Sequence, residues 1–311
     1  VPDLSHPVRA ADLAEQWRPD WLSLVVLGGV VVLVVRARLR LRADGRGWPR
    51  SRDASLAAGV VLGVWVTCGF PQARGSQLMW VWTTQVLLLL LVVPVLLVAA
   101  QPLALARAAY GPRSGLARVL ASGPMRVGGH PAVSPLYVPV LAGLLFFGGV
   151  GAWSLRWAPV GWALHVLLLL VGAVIALPLV DREDTRTSLA VGAALAVGVV
   201  ELLLDAVPGI VLRLETHLTI PAFGLDRPPW APSWLADQQT AGSILWTVAE
   251  VLDLPFLVLT VLQWIRVERT EARRVDLELD RAQLAPTGTD PDPTTPWWHH
   301  DPALRGRYGP P

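Results

Sequence analysis

The sequence predicts an all-α polytopic membrane helix bundle of about seven transmembrane helices, with the N-terminus outside and the C-terminus in the cytoplasm. Three observations predict it. Only 16% of the residues are charged against 53% hydrophobic, whereas a soluble domain carries about 25% charged residues. The apolar residues are gathered into long runs, and a hydrocarbon core of about 30 Å needs roughly 20 of them in a helix. The basic residues, all of them arginine, crowd into alternate connections between those runs.

Residues 1–19 are polar, hold Pro2, Pro7 and Pro19, and read as an extracytoplasmic leader. The transmembrane domain covers 20–266. Its spans are expected at 21–35, 54–70, 78–105, 134–153, 160–180, 188–212 and 241–265. The third contains Pro94 and Pro102, which predict a kink or a break. The sixth has Pro208 near its end, and small residues such as Gly143, Gly148, Gly149 and Gly151 in the fourth let helix backbones approach closely. Residues 267–285 mix charge signs at helical spacing and continue the last span as a cytoplasmic charged helix. Residues 286–311 are dominated by Pro, Thr, Gly and Asp and read as a disordered tail. His299 and His300 lie in that tail beside Trp297 and Trp298; a paired histidine there binds metal weakly at most.

Orientation follows from arginine placement. Arg36, Arg38, Arg40, Arg42, Arg46, Arg50 and Arg52 lie between spans one and two. Arg107, Arg113, Arg118 and Arg126 lie between three and four. Arg182 and Arg186 lie between five and six, and Arg266, Arg269, Arg273 and Arg274 follow seven. The other connections offer only Arg74, Arg156, Arg213 and Arg227. This alternation requires an odd number of crossings. No cleavable signal is read at the start, so the first span is expected to direct insertion.

Several chemistries are excluded. One cysteine, Cys68, permits neither an internal disulfide nor a cysteine cage for a metal. There is no P-loop, dinucleotide fingerprint, nucleophile elbow or HExxH motif, so no enzyme is predicted. The arginine clusters lack the interleaved aromatics of a nucleic-acid surface; the lipid bilayer is their partner.

Ionisable groups within the spans are informative because placing them in lipid is costly. Glu201 and Asp205 lie one turn apart in span six, and Glu250 and Asp253 three residues apart in span seven, so each pair shares a helix face. His165 and Gln85 fall in the outer thirds of spans five and three, with Met79 and Cys68 near the outer ends of spans three and two. The candidate metal set is therefore His165, Glu201, Asp205, Glu250 and Gln85. The alternative for each is structural: a polar side chain in a bundle that satisfies the backbone or a neighbour. The midplane carboxylates Glu201 and Glu250 would also suit a proton- or ion-coupled transporter.

Four segments then carry a family resemblance. They are Arg46 to Arg52 (RGWPRSR, with Trp48 and Pro49), and Gln85 to Arg107 with Pro94 and the closing PLALAR. The third is His165 to Asp181, ending LPLVD. The fourth is Leu235 to Trp246, containing Asp237, Gln238, Gln239 and Trp246. Across roughly residues 17–283 the chain resembles the CtaG-type cytochrome c oxidase assembly family in its actinobacterial form. The resemblance implies a non-enzymatic factor of the plasma membrane. Its expected partner is a terminal oxidase subunit, and copper is the metal to be delivered. It leaves the oligomeric state open. The sequence departs from the family where histidines are expected: Trp82 and Val86 flank the retained Gln85, Leu167 follows His165, and Glu201 stands in span six. Copper(I) prefers thiolate, thioether and imidazole, so these departures weaken the expectation of copper binding.

Overall fold

Long Val, Leu and Ala runs leave a chain in lipid one economical choice, the helix, because it bonds its own backbone groups internally. The computed structural model describes residues 5–111, 136–180, 188–225 and 227–284, and among these all regular structure is helical. In order, the α-helices are α1 (Asp12–Glu15), α2 (Trp21–Ala43), α3 (Arg50–Cys68), α4 (Phe70–Arg74), α5 (Met79–Leu87), α6 (Val93–Ala99) and α7 (Pro102–Tyr110). After them come α8 (Tyr137–Ala142), α9 (Val150–Arg156), α10 (Ala158–Val180), α11 (Ser188–Leu214) and α12 (Trp234–Leu284). The chain divides into two units, Val1–Leu262 and Gln263–Pro311; the first contains the bundle.

Among the described residues five segments are long and apolar enough to cross a bilayer: Trp21–Ala43, Arg50–Arg74, Met79–Tyr110, Ala158–Leu177 and Leu195–Leu214. The pair Tyr137–Phe147 and Val150–Arg156, bent by 60°, makes a sixth if it counts as one span. The protein is thus a polytopic helix bundle with five to six such spans. The expected seventh, 241–265, runs within α12, where the side chains of 252–257 fall outside the described residues. The count of seven and the orientation therefore rest on the sequence. Arg113, Arg118, Arg126, Arg182, Arg186 and the tail with His299 and His300 also lie outside the described residues. Large apolar side chains such as Val25, Leu33, Val61 and Leu170 stand exposed on the helix surfaces, as lipid contact allows.

The core is built on the third span. Trp82 meets Phe146 edge-on at 5.3 Å between ring centroids and Phe223 at 6.1 Å, and Leu89, Leu90, Val93, Leu145, Leu168 and Leu212 are buried around them. Pro94 cannot donate to the carbonyl four residues earlier, that of Leu90, and its ring crowds that oxygen. The chain answers with a π-helical turn, Leu88–Val92. The displaced Leu90 oxygen faces Gly172 of α10, where a Cβ would collide with it. Gln101, the one non-glycine residue with positive φ among those described (φ 52°), then breaks the span before Pro102 opens α7. A second close approach joins α11 to α12: a Cβ on Gly209 would sit 2.6 Å from the Trp246 nitrogen, and one on Gly242 2.7 Å from the Arg213 nitrogen.

The arginine-rich end is tied by short-range contacts. Arg38 pairs with Asp53, Arg46 donates to the Ala108 carbonyl at 3.0 Å, and the Arg52 guanidinium lies 4.4 Å from the Trp48 ring centroid.

Candidate functional site

The opposite end of the bundle gathers the buried polar groups. Asp20 is the N-cap of α2, where a carboxylate satisfies helix N–H groups that have no partner within the helix. Its Oδ1 accepts from the Ser23 N–H at 3.0 Å and its Oδ2 from the Ser23 hydroxyl at 2.6 Å. The same Oδ2 lies 2.8 Å from Nδ1 of His165 on α10, so the imidazole donates from Nδ1 and keeps Nε2 for other partners. Asp20 is fully buried and His165 only 5% exposed. Burial by itself would raise the Asp20 pKa. The hydrogen bonds from His165 and from the Ser23 side chain and backbone outweigh it and hold the carboxyl below the usual aspartate value. The Asp20 N–H points at the Cys68 sulfur at 3.4 Å, and the Arg18 N–H donates to the Cys68 carbonyl at 2.6 Å.

The segment before α2 packs onto this end. Arg74 is fully buried. Its guanidinium donates to Gln16 Oε1 at 2.8 Å and to the His6 carbonyl at 3.2 Å, and lies 3.4 Å from Asp12 Oδ2. Its flat face lies 5.1 Å from the Trp230 ring centroid. Trp65 Nε1 donates to the Leu13 carbonyl at 2.8 Å. A leader that looked merely polar in sequence is thus held on both sides of α1.

The Asp-Gln-Gln segment at the start of α12 acts as a clamp. Asp237 accepts from the Met79 and Trp80 N–H groups at 3.0 Å each, capping α5, and from Arg227 at 3.0 Å. Gln238 accepts from the Thr219 N–H at 3.0 Å and donates to the His217 carbonyl at 3.0 Å and that of Glu215 at 3.2 Å. Gln239 is exposed, and its carbonyl accepts from the Ser243 hydroxyl at 2.7 Å.

Between these two networks lies a partly open pocket of about 170 Å³. Trp82, Gln85, Ser154 and His165, all buried, form its floor, and the exposed Arg18 and Arg156 stand at its rim. Of the candidate metal set, the pocket brings together Gln85 and His165 alone. Gln85 Nε2 donates to the Val66 carbonyl and to Gln72 Oε1, both at 2.9 Å. Asp205 is buried in α11 and Glu250 is half-buried in α12; neither lines the pocket. Glu250 accepts from Nε1 of Trp246 one turn earlier. The side chains of Glu201 and Asp253 lie outside the described residues. Cys68 and Met79 are buried. Among the described residues no three of His, Cys, Asp and Glu stand where they could hold a metal ion. With the Cys68 sulfur facing an N–H and the His165 Nδ1 committed to Asp20, the described donors do not fit a resident copper ion.

The remaining motif residues are structural in their contacts. Trp48 packs beside the cluster of Val34, Ala37, Leu41, Leu105 and Ala109, Pro49 precedes α3 as its N-cap, and the exposed Arg107 has its carbonyl bonded by the Gly111 N–H at 2.9 Å. Trp82 is core.

Asp20 and Arg74 are the residues that reading for charges inside apolar runs overlooks. Asp20 carried a local signal, a carboxylate three residues before a serine at the start of an apolar run. Arg74 carried none, since a charge between two spans reads as a surface residue.

A family model described as cytochrome c oxidase caa3 assembly factor (Caa3_CtaG) matches residues 28–267. Similar curated proteins include uncharacterised proteins of Mycobacterium bovis and Mycobacterium tuberculosis. Each is 25% identical over 292 residues, covering 89% of this chain and 44% of the relative. An uncharacterised protein of Mycobacterium leprae is 25% identical over 293 residues with the same coverage. The chain spans less than half the length of these relatives. No solved structure matches it.

Proposed function

Because the chain belongs to the cytochrome c oxidase caa3 assembly factor family, we propose that it is a multi-pass plasma-membrane factor that assists maturation of a terminal oxidase without itself catalysing a reaction. The family match over residues 28–267 is the observation that carries this reading. The polar end built on Asp20, His165, Arg74 and Asp237 is its working face. Lipid-facing sides of the spans leave helix surfaces for an oxidase subunit, and the arginine pattern favours an outside position for the polar end, where a subunit with an exposed metal centre would be met.

Copper, in this reading, is cargo of the oxidase under assembly. His165, through Nε2, is the one described imidazole lining the pocket at the working face, and a single nitrogen of that kind holds copper only in passing. The candidate set His165, Glu201, Asp205, Glu250 and Gln85 stays a proposal for transient contact. No observation favours the transporter reading; Glu250 has a local partner in Trp246.

Deletion of the gene tests the function. Oxidase activity, haem content and copper content of membranes are measured together, with complementation by the wild-type gene and by His165→Ala. Loss of activity restored by the wild-type gene is the expected result. Normal activity and normal metal content in the deletion strain would overturn the proposal.

A further inference from the structure

The pocket at the polar end has a composition that selects for one kind of ligand. Its rim carries two arginines, Arg18 and Arg156, and among the described residues no carboxylate lines it. Among the described residues neither arginine makes an ion pair. Nearby acids are already engaged: Asp20 with His165 and Ser23, Asp12 with Arg74. The first turn of α10, at Ala158 and Gly161, forms one wall, and a helix start adds partial positive charge. The Arg18 backbone is anchored on the Cys68 carbonyl, and Arg156 closes the last turn of α9, so both rim charges spring from fixed backbone. The floor is buried, with the polar His165, Gln85 and Ser154 at 5%, 2% and 7% exposure beside Trp82 at 3%. A volume of about 170 Å³ is on the order of ten times what one water needs, enough for a tetrahedral anion and part of its substituent.

We propose that this pocket binds a phosphate group, of a small soluble anion or of a lipid headgroup, with Arg18 and Arg156 as its charged ligands. Two guanidiniums match the charge and the paired oxygens of phosphate better than those of a single carboxylate. The inference stands on the pocket and does not require the oxidase role.

The test uses the full chain purified in a neutral detergent. Equilibrium dialysis against radiolabelled inorganic phosphate reads the soluble source. Native mass spectrometry with phosphatidylglycerol, and with diacylglycerol as the phosphate-free control, reads the lipid source. Arg18→Gln and Arg156→Gln are compared with Arg273→Gln, which removes an exposed arginine from the second unit. Binding of either phosphate probe, weakened about tenfold or more by each pocket variant and unchanged by the control, is the expected result. Arg18→Lys and Arg156→Lys keep the charge and retain part of the affinity, which separates lost binding from lost folding. Phosphate binding identifies a soluble ligand, and retention of phosphatidylglycerol alone identifies the headgroup. Absence of both, or pocket variants that bind as the control does, would overturn the proposal.

Discussion

Asp237 and Met79 are 158 residues apart in sequence, yet the Asp237 carboxylate accepts the Met79 N–H at 3.0 Å and that of Trp80 at the same distance. One helix supplies the N-cap of another. The same side chain holds Arg227, and its neighbour Gln238 gathers the carbonyls of Glu215 and His217. The start of α12 thereby sets where α5 begins and where the connection after α11 runs.

Replacing Asp237 by Ala removes the cap and leaves Arg227 without its acid. A lost N-cap costs about 1–2 kcal/mol, and abandoning a largely buried charge adds to it. The thermal midpoint in detergent is expected to fall by several degrees, with Asp237→Asn falling less because the amide oxygen still accepts one bond. Equal midpoints for wild type and Asp237→Ala would contradict the clamp.

Arg74 predicts the fate of the leader. Arg74→Gln takes the guanidinium from Asp12, Gln16 and the His6 carbonyl at once, and breaking a buried pair costs roughly 3–5 kcal/mol. The leader around α1 is expected to undock, so limited proteolysis should cut between residues 5 and 17 much faster than in wild type. An unchanged cleavage rate would show that Arg74 does not hold it.

The Asp20 pair carries a pH dependence with a definite sign. Its folded-state pKa is depressed, so the stabilisation is fully present above the ordinary aspartate value of 3.8 and is lost as pH falls through the lower folded value. Melting curves of wild type and Asp20→Asn are expected to converge as the pH drops below 3.8 and to differ above it. Parallel curves across that window would refute the assignment.

The contact of Gly172 with the Leu90 carbonyl predicts intolerance to one added methyl. Gly172→Ala forces α10 away from the π-helical turn, at about 1–3 kcal/mol for overpacking. A lowered midpoint in the purified protein checks it, and Gly28→Ala, where a Cβ meets nothing within 4 Å, serves as the neutral comparison.

Helices were legible because an apolar run is a local property: Val25, Leu33, Val61 and Leu170 declare their lipid contact wherever the run is placed. The irregular turn in the third span was equally local, since Pro94 lacks a donor whatever surrounds it. The family was legible in Asp237, Gln238 and Trp246, although the clamp that Asp237 and Gln238 form was not. The resemblance sets histidines where Trp82 and Val86 stand, which pointed away from a metal cage, and Trp82 fills the core.

The sequence by itself determined that this chain spans a membrane repeatedly as helices and that it shares the pattern of an oxidase assembly family. Tertiary structure alone decided that Asp20 meets His165 from 145 residues away, that Arg74 is buried, and that Arg18 and Arg156 share a pocket. The physical reason is one of range. Hydropathy and helix-breaking act within a few residues, while the partner of a buried charge is chosen by packing between segments that the chain keeps far apart.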